Sequence, residues 1–134
     1  MTIIAKDNGE GYVAGDDLNV VRNVTNVTPA DPLIKAWLTI KTSASILDAS
    51  ATVQKIITTA SVPGVGQIGQ NGGVGTGDGT ASMTFTLTAA DTALMGTTIA
   101  HFYDVQVKTS TGVINTPDRG TVARLVRGYT DAIT

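Results

Sequence analysis

Residues 81–89 read ASMTFTLTA, and this strict alternation constrains the fold of the chain more than any other feature. Ala81, Met83, Phe85 and Leu87 fall on one face of an extended segment, and Ser82, Thr84 and Thr86 fall on the other, because successive side chains of a strand point to opposite sides. Residues 99–109, IAHFYDVQVKT, repeat the pattern with Ile99, Tyr103, Val105 and Val107 against Asp104, Gln106 and Lys108. Residues 34–41, IKAWLTIK, place Ile34, Ala36, Leu38 and Ile40 inward and Lys35, Trp37, Thr39 and Lys41 outward. Further strands are expected at DLNVVRNV, TVQKIITT and GTVARLVRG, and VINTPDRG returns from a turn at TSTG. Helical signal is thin. SASILDASA reads as a helical turn or a kinked connection, and TAADTALMG as a single turn capped by Thr88 and closed by Gly96. Six or seven short strands at about ten-residue spacing predict an all-β fold, an immunoglobulin-like antiparallel β-sandwich of about seven strands. The chain has no cysteine, so the inter-sheet disulfide of many such sandwiches is absent.

Against this β pattern stands GVGQIG, residues 64–69, whose G-x-G-x-x-G spacing is that of a dinucleotide-binding turn. In such a site the first glycine ends a buried parallel strand and the last lies in a helix whose N-terminus faces the pyrophosphate. Here Pro63 precedes the first glycine, and QNGGVGTGDGT follows the last. Five more glycines in that stretch make a helix too costly. Asp91, at a suitable distance for a ribose contact, falls in a helical-turn segment rather than at a strand end. No cofactor is expected. The residues read instead as a Gly-rich hairpin loop, 63–80, flexible in the free chain, that holds eight of the fifteen glycines. Ordering that many glycines is entropically expensive, so an ordered loop implies a partner that orders it.

Length and charge narrow the function. A chain of 134 residues makes one domain, whereas a full dinucleotide fold needs two βαβαβ halves. Nine basic and eleven acidic residues give a net charge of −2, and charged residues are 15% of the chain. That balance does not favour nucleic acid as a partner. The first residues, MTIIAKDNGEGYVAGDD, lack a basic start followed by an apolar run, and no apolar run reaches membrane-spanning length, so neither secretion nor a membrane partner is expected. No small-molecule substrate is expected either. His101 is the single histidine, which rules out a two-His metal site within one chain and fits a structural strand residue. Asp16, Asp17 and Asp78 lack the D-x-[DN]-x-[DN]-G spacing of a calcium loop and read as solvated turn acids. NVTNVT carries two sequons but reads as strand residues running into a Pro-terminated turn. Arg119, Arg124 and Arg127, with Asp118 and Asp131, suggest a surface ion-pair network or an interface patch. No set of nucleophile, base and orienting group is present, so an enzyme is not expected.

Trp37 is the one tryptophan. If Leu38 and Ile40 face the core, the pleat turns Trp37 to the opposite face, flanked by Lys35, Thr39 and Lys41. Two readings stay open: an interface anchor of large, rigid area, or a strand covered on both faces.

The strand and turn motifs KAWLTIK, LTAADTALM, YDVQVKTSTGV and TPDRGTV, spread over residues 31–126, resemble the small immunoglobulin-like domains encoded among tailed-phage structural genes. The type is that found at the N-terminus of phage baseplate upper proteins. Two departures stand out: the Gly-rich insertion at 63–80 is longer, and no coiled-coil or receptor-binding region is expected beyond Thr134. The resemblance implies a non-enzymatic virion component, assembled in the host bacterial cytoplasm. Its partners would be capsid or tail subunits and copies of itself, with capsid decoration or a head-associated role first, a tail or baseplate adaptor second and a host-glycan-binding module third. The expected organisation is an N-terminal arm at 1–15 and one sandwich domain at 16–134. Candidate contact residues are Ile3, Ile4 and Tyr12 in the arm, Gly64, Gly66, Ile68, Gly69, Gly72 and Gly73 in the Gly-rich segment, and Trp37.

Overall fold

The computed structural model describes residues 2–4, 15, 17–25, 27–43, 45, 47–71, 80–95 and 101–122. Along the chain lie β1 (Thr2–Ile4), β2 (Leu18–Val24), β3 (Leu33–Lys41), β4 (Val53–Ile57), β5 (Gly66–Asn71), β6 (Ala81–Leu87), α1 (Ala89–Met95), β7 (Phe102–Thr109) and β8 (Ile114–Val122). One 3-10 turn, Asp48–Ser50, joins β3 to β4, which settles the SASILDASA segment as a helical turn. One sheet has the order β1-β8-β7-β3-β4 and the other β2-β6-β5. The pairings are antiparallel except that β1 runs parallel to β8, with Thr2 opposite Gly120 and Ile4 opposite Val122. In chain order β2, β3, β5, β6, β7 and β8 take the B, C, D, E, F and G places of an immunoglobulin-like sandwich, and β4 is the added strand beside C. The predicted fold is therefore the observed one. Residues 1–15 are not wholly a separate arm, because Thr2–Ile4 forms the edge strand of the larger sheet.

The core is built from the alternations. Ala81, Met83, Phe85 and Leu87 of β6 are buried and face Ala36, Leu38 and Ile40 of β3 and Val105 and Val107 of β7. Each large apolar side chain removed from water this way contributes about 1.5–3 kcal/mol. The register of β3 departs from simple alternation at one point. Ile34 is 44% exposed and Leu33 is 1% exposed, the reverse of the expected inward Ile34. The pairing with β7 shifts between Leu33 and Lys35, and such an irregularity inverts the faces of the residues before it. The strand expected at VINTPDRG and the first three residues of the one expected at GTVARLVRG form one strand, β8, with a register shift opposite Val105 and Val107; residues 123–128 lie outside the described residues. Pro117 occupies that irregular stretch, where a strand tolerates the missing N–H.

The largest correction concerns residues 63–80. Residues 62–66 form a tight turn in which Val62 O accepts from Val65 N at 3.1 Å and from Gly66 N at 3.0 Å. From Gly66 the chain runs as β5, antiparallel to β6. Ile68 is 1% exposed and belongs to the core. The fingerprint GVGQIG is thus a turn entering a strand, ordered by its own chain; residues 72–79 lie outside the described residues. Glycine is required at Gly66, where φ is +128° and a Cβ would sit 1.9 Å from the Thr84 carbonyl oxygen.

Two ion pairs close the two flanks of the sandwich. On one, Arg22 of β2 occupies the inward register of Leu18 and Val20 and donates from Nε to Asp118 Oδ2 of β8 at 2.7 Å. Its guanidinium lies 5.7 Å from the centre of the Tyr103 ring, and the Tyr103 hydroxyl donates to the same Asp118 oxygen at 2.9 Å. On the other, Lys55 of β4 pairs with Asp91 of α1 at 2.7 Å and donates to Gly64 O at 2.9 Å. Helix α1 starts in a capping box: Asp91 N donates to Thr88 Oγ1 at 3.3 Å and Thr88 N to Asp91 Oδ2 at 2.8 Å. At seven residues, α1 is longer than the single turn expected, and Gly96 lies outside the described residues.

Candidate interaction face

The larger sheet turns one face to the core and the other away from it. Because Ala36, Leu38 and Ile40 of β3 and Tyr103, Val105 and Val107 of β7 are buried against the core, their neighbours Lys35, Trp37, Thr39, Lys41, Phe102, Asp104, Gln106 and Lys108 form the outer face. The register orders them in rows across the strands. Ile56, Trp37 and Gln106 make one row; Gln54, Thr39, Asp104 and Arg119 make the next. Lys35 stands opposite Lys108, and Lys41 opposite Phe102, which faces Thr121 on its other side.

Trp37 lies on this outer face and is half-buried, a place between the two readings open from the sequence. The Lys35 ammonium sits 5.2 Å from the centre of its ring, within cation–π range. Ile56 beside it is 42% exposed. Thr39 is buried although it faces outward, and its hydroxyl accepts from Gln54 Nε2 at 3.1 Å. At one end of the face a shallow depression of about 490 Å³ is lined by Lys41, Phe102, Asp104 and Arg119, with Thr39 among its walls. The side chains here offer ammonium and guanidinium groups, amides and an indole. That inventory suits binding by charge, hydrogen bond and apolar contact.

At the margin of this sheet Asp31 braces the turn between β7 and β8. Its carboxylate accepts from Thr111 N at 2.9 Å, Thr111 Oγ1 at 2.9 Å and Ser110 Oγ at 3.0 Å. The Thr111 N–H is the chief reason its pKa lies below the ordinary value, with the hydroxyls adding to it. At Asp91 burial pushes the carboxyl up, but hydrogen bonds from Lys55 and from the Thr88 N–H and hydroxyl outweigh it and hold the pKa down.

The structure separates the other sequence-predicted contact residues rather than gathering them. Gly64 is held from within by Lys55, Gly66 is packed on the Thr84 backbone, and the Ile68 side chain is in the core, so Ile68 is not an exposed contact. Gly69 lies on β5, with Ser82 Oγ 3.1 Å from where a Cβ would stand. Ile3 and Ile4 lie on β1, on the opposite edge of the larger sheet from β4. Tyr12, Gly72 and Gly73 lie outside the described residues. Asp118 pairs with Arg22 of β2; Arg124, Arg127 and Asp131 are outside the described residues. Asp17 accepts from Ala89 N at 2.7 Å and so caps α1. His101 is buried, and its carbonyl accepts from Val122 N at 3.0 Å. Among the described residues no group of three or more His, Asp or Glu is placed to hold a metal ion, and no helix is long and apolar enough to cross a membrane.

Sequence reading missed the two flank ties and the cationic character of the outer face. Arg22 in an inward position of an alternating strand was the available signal for the first. For the second, the pairing of Lys35 with Lys108 depends on a register that only the fold supplies. Compared with protein-family models, with curated protein sequences and with solved structures, the chain matches none.

Proposed function

We propose that the chain is a non-enzymatic structural subunit of a tailed-phage virion, most simply a capsid-decorating or head-associated protein, that meets its neighbours through the outer face of the larger sheet. The observation carrying this reading is Trp37: the single tryptophan stands half-buried on that face rather than in the core. A rigid aromatic there offers contact area at low entropic cost. The virion assignment is supported by the resemblance of KAWLTIK, LTAADTALM, YDVQVKTSTGV and TPDRGTV to phage immunoglobulin-like domains. Symmetric assembly multiplies one modest contact over many copies, so a small face suffices.

Quantitative mass spectrometry of particles purified from the cells that make this chain tests the reading. High copy number per particle supports capsid decoration, and a few copies support the tail or baseplate. Absence from particles ends the virion assignment. Trp37→Ala in the same cells should leave a folded chain that is depleted from particles; incorporation at the wild-type level removes the face from the proposal.

A further inference from the structure

The outer face has a charge sign opposite to that of the chain. Its positions on β3, β7 and β8 carry Lys35, Lys41, Lys108 and Arg119 against one carboxylate, Asp104, whereas the whole chain has a net charge of −2. Lys35 and Lys108 are cross-strand partners. Like charges directly opposite one another destabilise a sheet, and a bound anion reverses that effect. Building on the contact face of the preceding section, we propose that this face receives an acidic, extended segment of a neighbouring protein, with a carboxylate between Lys35 and Lys108 and an apolar side chain on Trp37.

The spacing favours a protein partner over a polyanion. Lys35 and Trp37 are two residues apart on one strand, about 7 Å along the sheet, which matches residues i and i+2 of an extended peptide. Beside Trp37 lies Ile56, 42% exposed, so the second position is apolar where the first is cationic. A chain alternating acidic and apolar residues on one face fills both; nucleic acid or an acidic polysaccharide supplies the charge without an apolar side chain for the second. Gln106, opposite Trp37, adds an amide to hydrogen-bond the same ligand.

Because Trp37 is the only tryptophan, its emission reports occupancy directly. The full chain is titrated with a blocked octapeptide that repeats Glu-Ser-Leu-Ser, so that Glu and Leu alternate along one face, with octaglutamate, and with a decathymidylate. The proposal expects a saturable change in Trp37 emission with the Glu–Leu peptide and weaker binding of octaglutamate. Affinity should fall with added salt and drop by about tenfold or more in Lys108→Glu. Lys108→Arg should keep binding. No saturable change, undiminished binding by Lys108→Glu, or tighter binding of decathymidylate overturns the proposal. Urea transitions of both variants verify that each is folded. A chain whose Trp37→Ala variant is lost from particles, yet which ignores the acidic peptide, retains the contact face and loses only this inference.

Discussion

Arg22 Nε lies 2.7 Å from Asp118 Oδ2, and this one contact joins β2 of the smaller sheet to β8 of the larger. It spans one flank of a sandwich that has no disulfide, and Tyr103, near the start of the F-position strand, donates its hydroxyl to the same carboxylate. In many immunoglobulin domains that tyrosine bonds to backbone instead. The pair is partly exposed, 23% and 13% for its two side chains, so its net worth is below that of a fully buried one. Removing one partner nevertheless strands the other. Asp118→Ala should lower stability by about 2–3 kcal/mol, Tyr103→Phe by about 1 kcal/mol, and the double change Arg22→Met with Asp118→Leu by less than Asp118→Ala. Urea denaturation of these three variants and of the single changes Arg22→Met and Asp118→Leu measures this, and additivity of the two single changes in the double would count against coupling.

The opposite flank is tied by Lys55 and Asp91, and there pH is the probe. The folded Asp91 carboxyl has a pKa below its ordinary 3.8, so its contribution is complete well above that value and fades as pH falls through the lower folded value. Stability should therefore decline on acidification below about pH 4. Asp91→Asn should be less stable than wild type at pH 7, with the gap narrowing towards pH 2 as the wild-type carboxylate protonates. Thermal melts of both proteins at several pH values check the sign. A gap that widens at low pH would mean the carboxylate is not held in its charged form.

Gly66 and Gly112 both have positive φ, +128° and +93°, but only Gly66 has a neighbour in the way. Alanine at Gly112 meets open space and bears only the left-handed backbone penalty, about 1 kcal/mol. Alanine at Gly66 also drives its Cβ into the Thr84 carbonyl, where backbone must move and the β5–β6 pairing must open. Gly112→Ala should fold with a modestly lowered urea midpoint. Gly66→Ala should lose more than about 3 kcal/mol or fail to accumulate as soluble protein.

The strands β3, β6 and β7 were legible because their apolar residues recur every second position against polar ones. The strand β5 was not. GQIGQN offers Ile68 as its one large apolar side chain, and its glycines are also the composition of a loop, so local signal favoured the wrong state until β6 supplied a partner for its backbone. The fingerprint spacing compounded this by directing attention to phosphate rather than to the turn at Val62. At the candidate site the pleat placed Trp37 outward from Leu38 and Ile40 alone. The Lys35–Lys108 pairing was invisible because it joins residues 73 positions apart in the chain, which no local pattern encodes. Asp118 carried no sequence mark of its role, since its partner Arg22 lies 96 residues away.

The same distinction yields a test at the start of β3, where simple alternation and the observed register assign opposite faces. Alternation from Ala36 puts Ile34 inside; the shift between Leu33 and Lys35 puts Leu33 there instead. Leu33→Ala should then open a cavity and cost about 2–5 kcal/mol, whereas Ile34→Thr should change stability by no more than about 0.5 kcal/mol, as at other surface positions. Ile68→Ala, an equally buried site on β5, should resemble Leu33→Ala. If Ile34→Thr is the damaging change and Leu33→Ala is tolerated, β3 is in the unshifted register, and its outer face must be redrawn before Lys35.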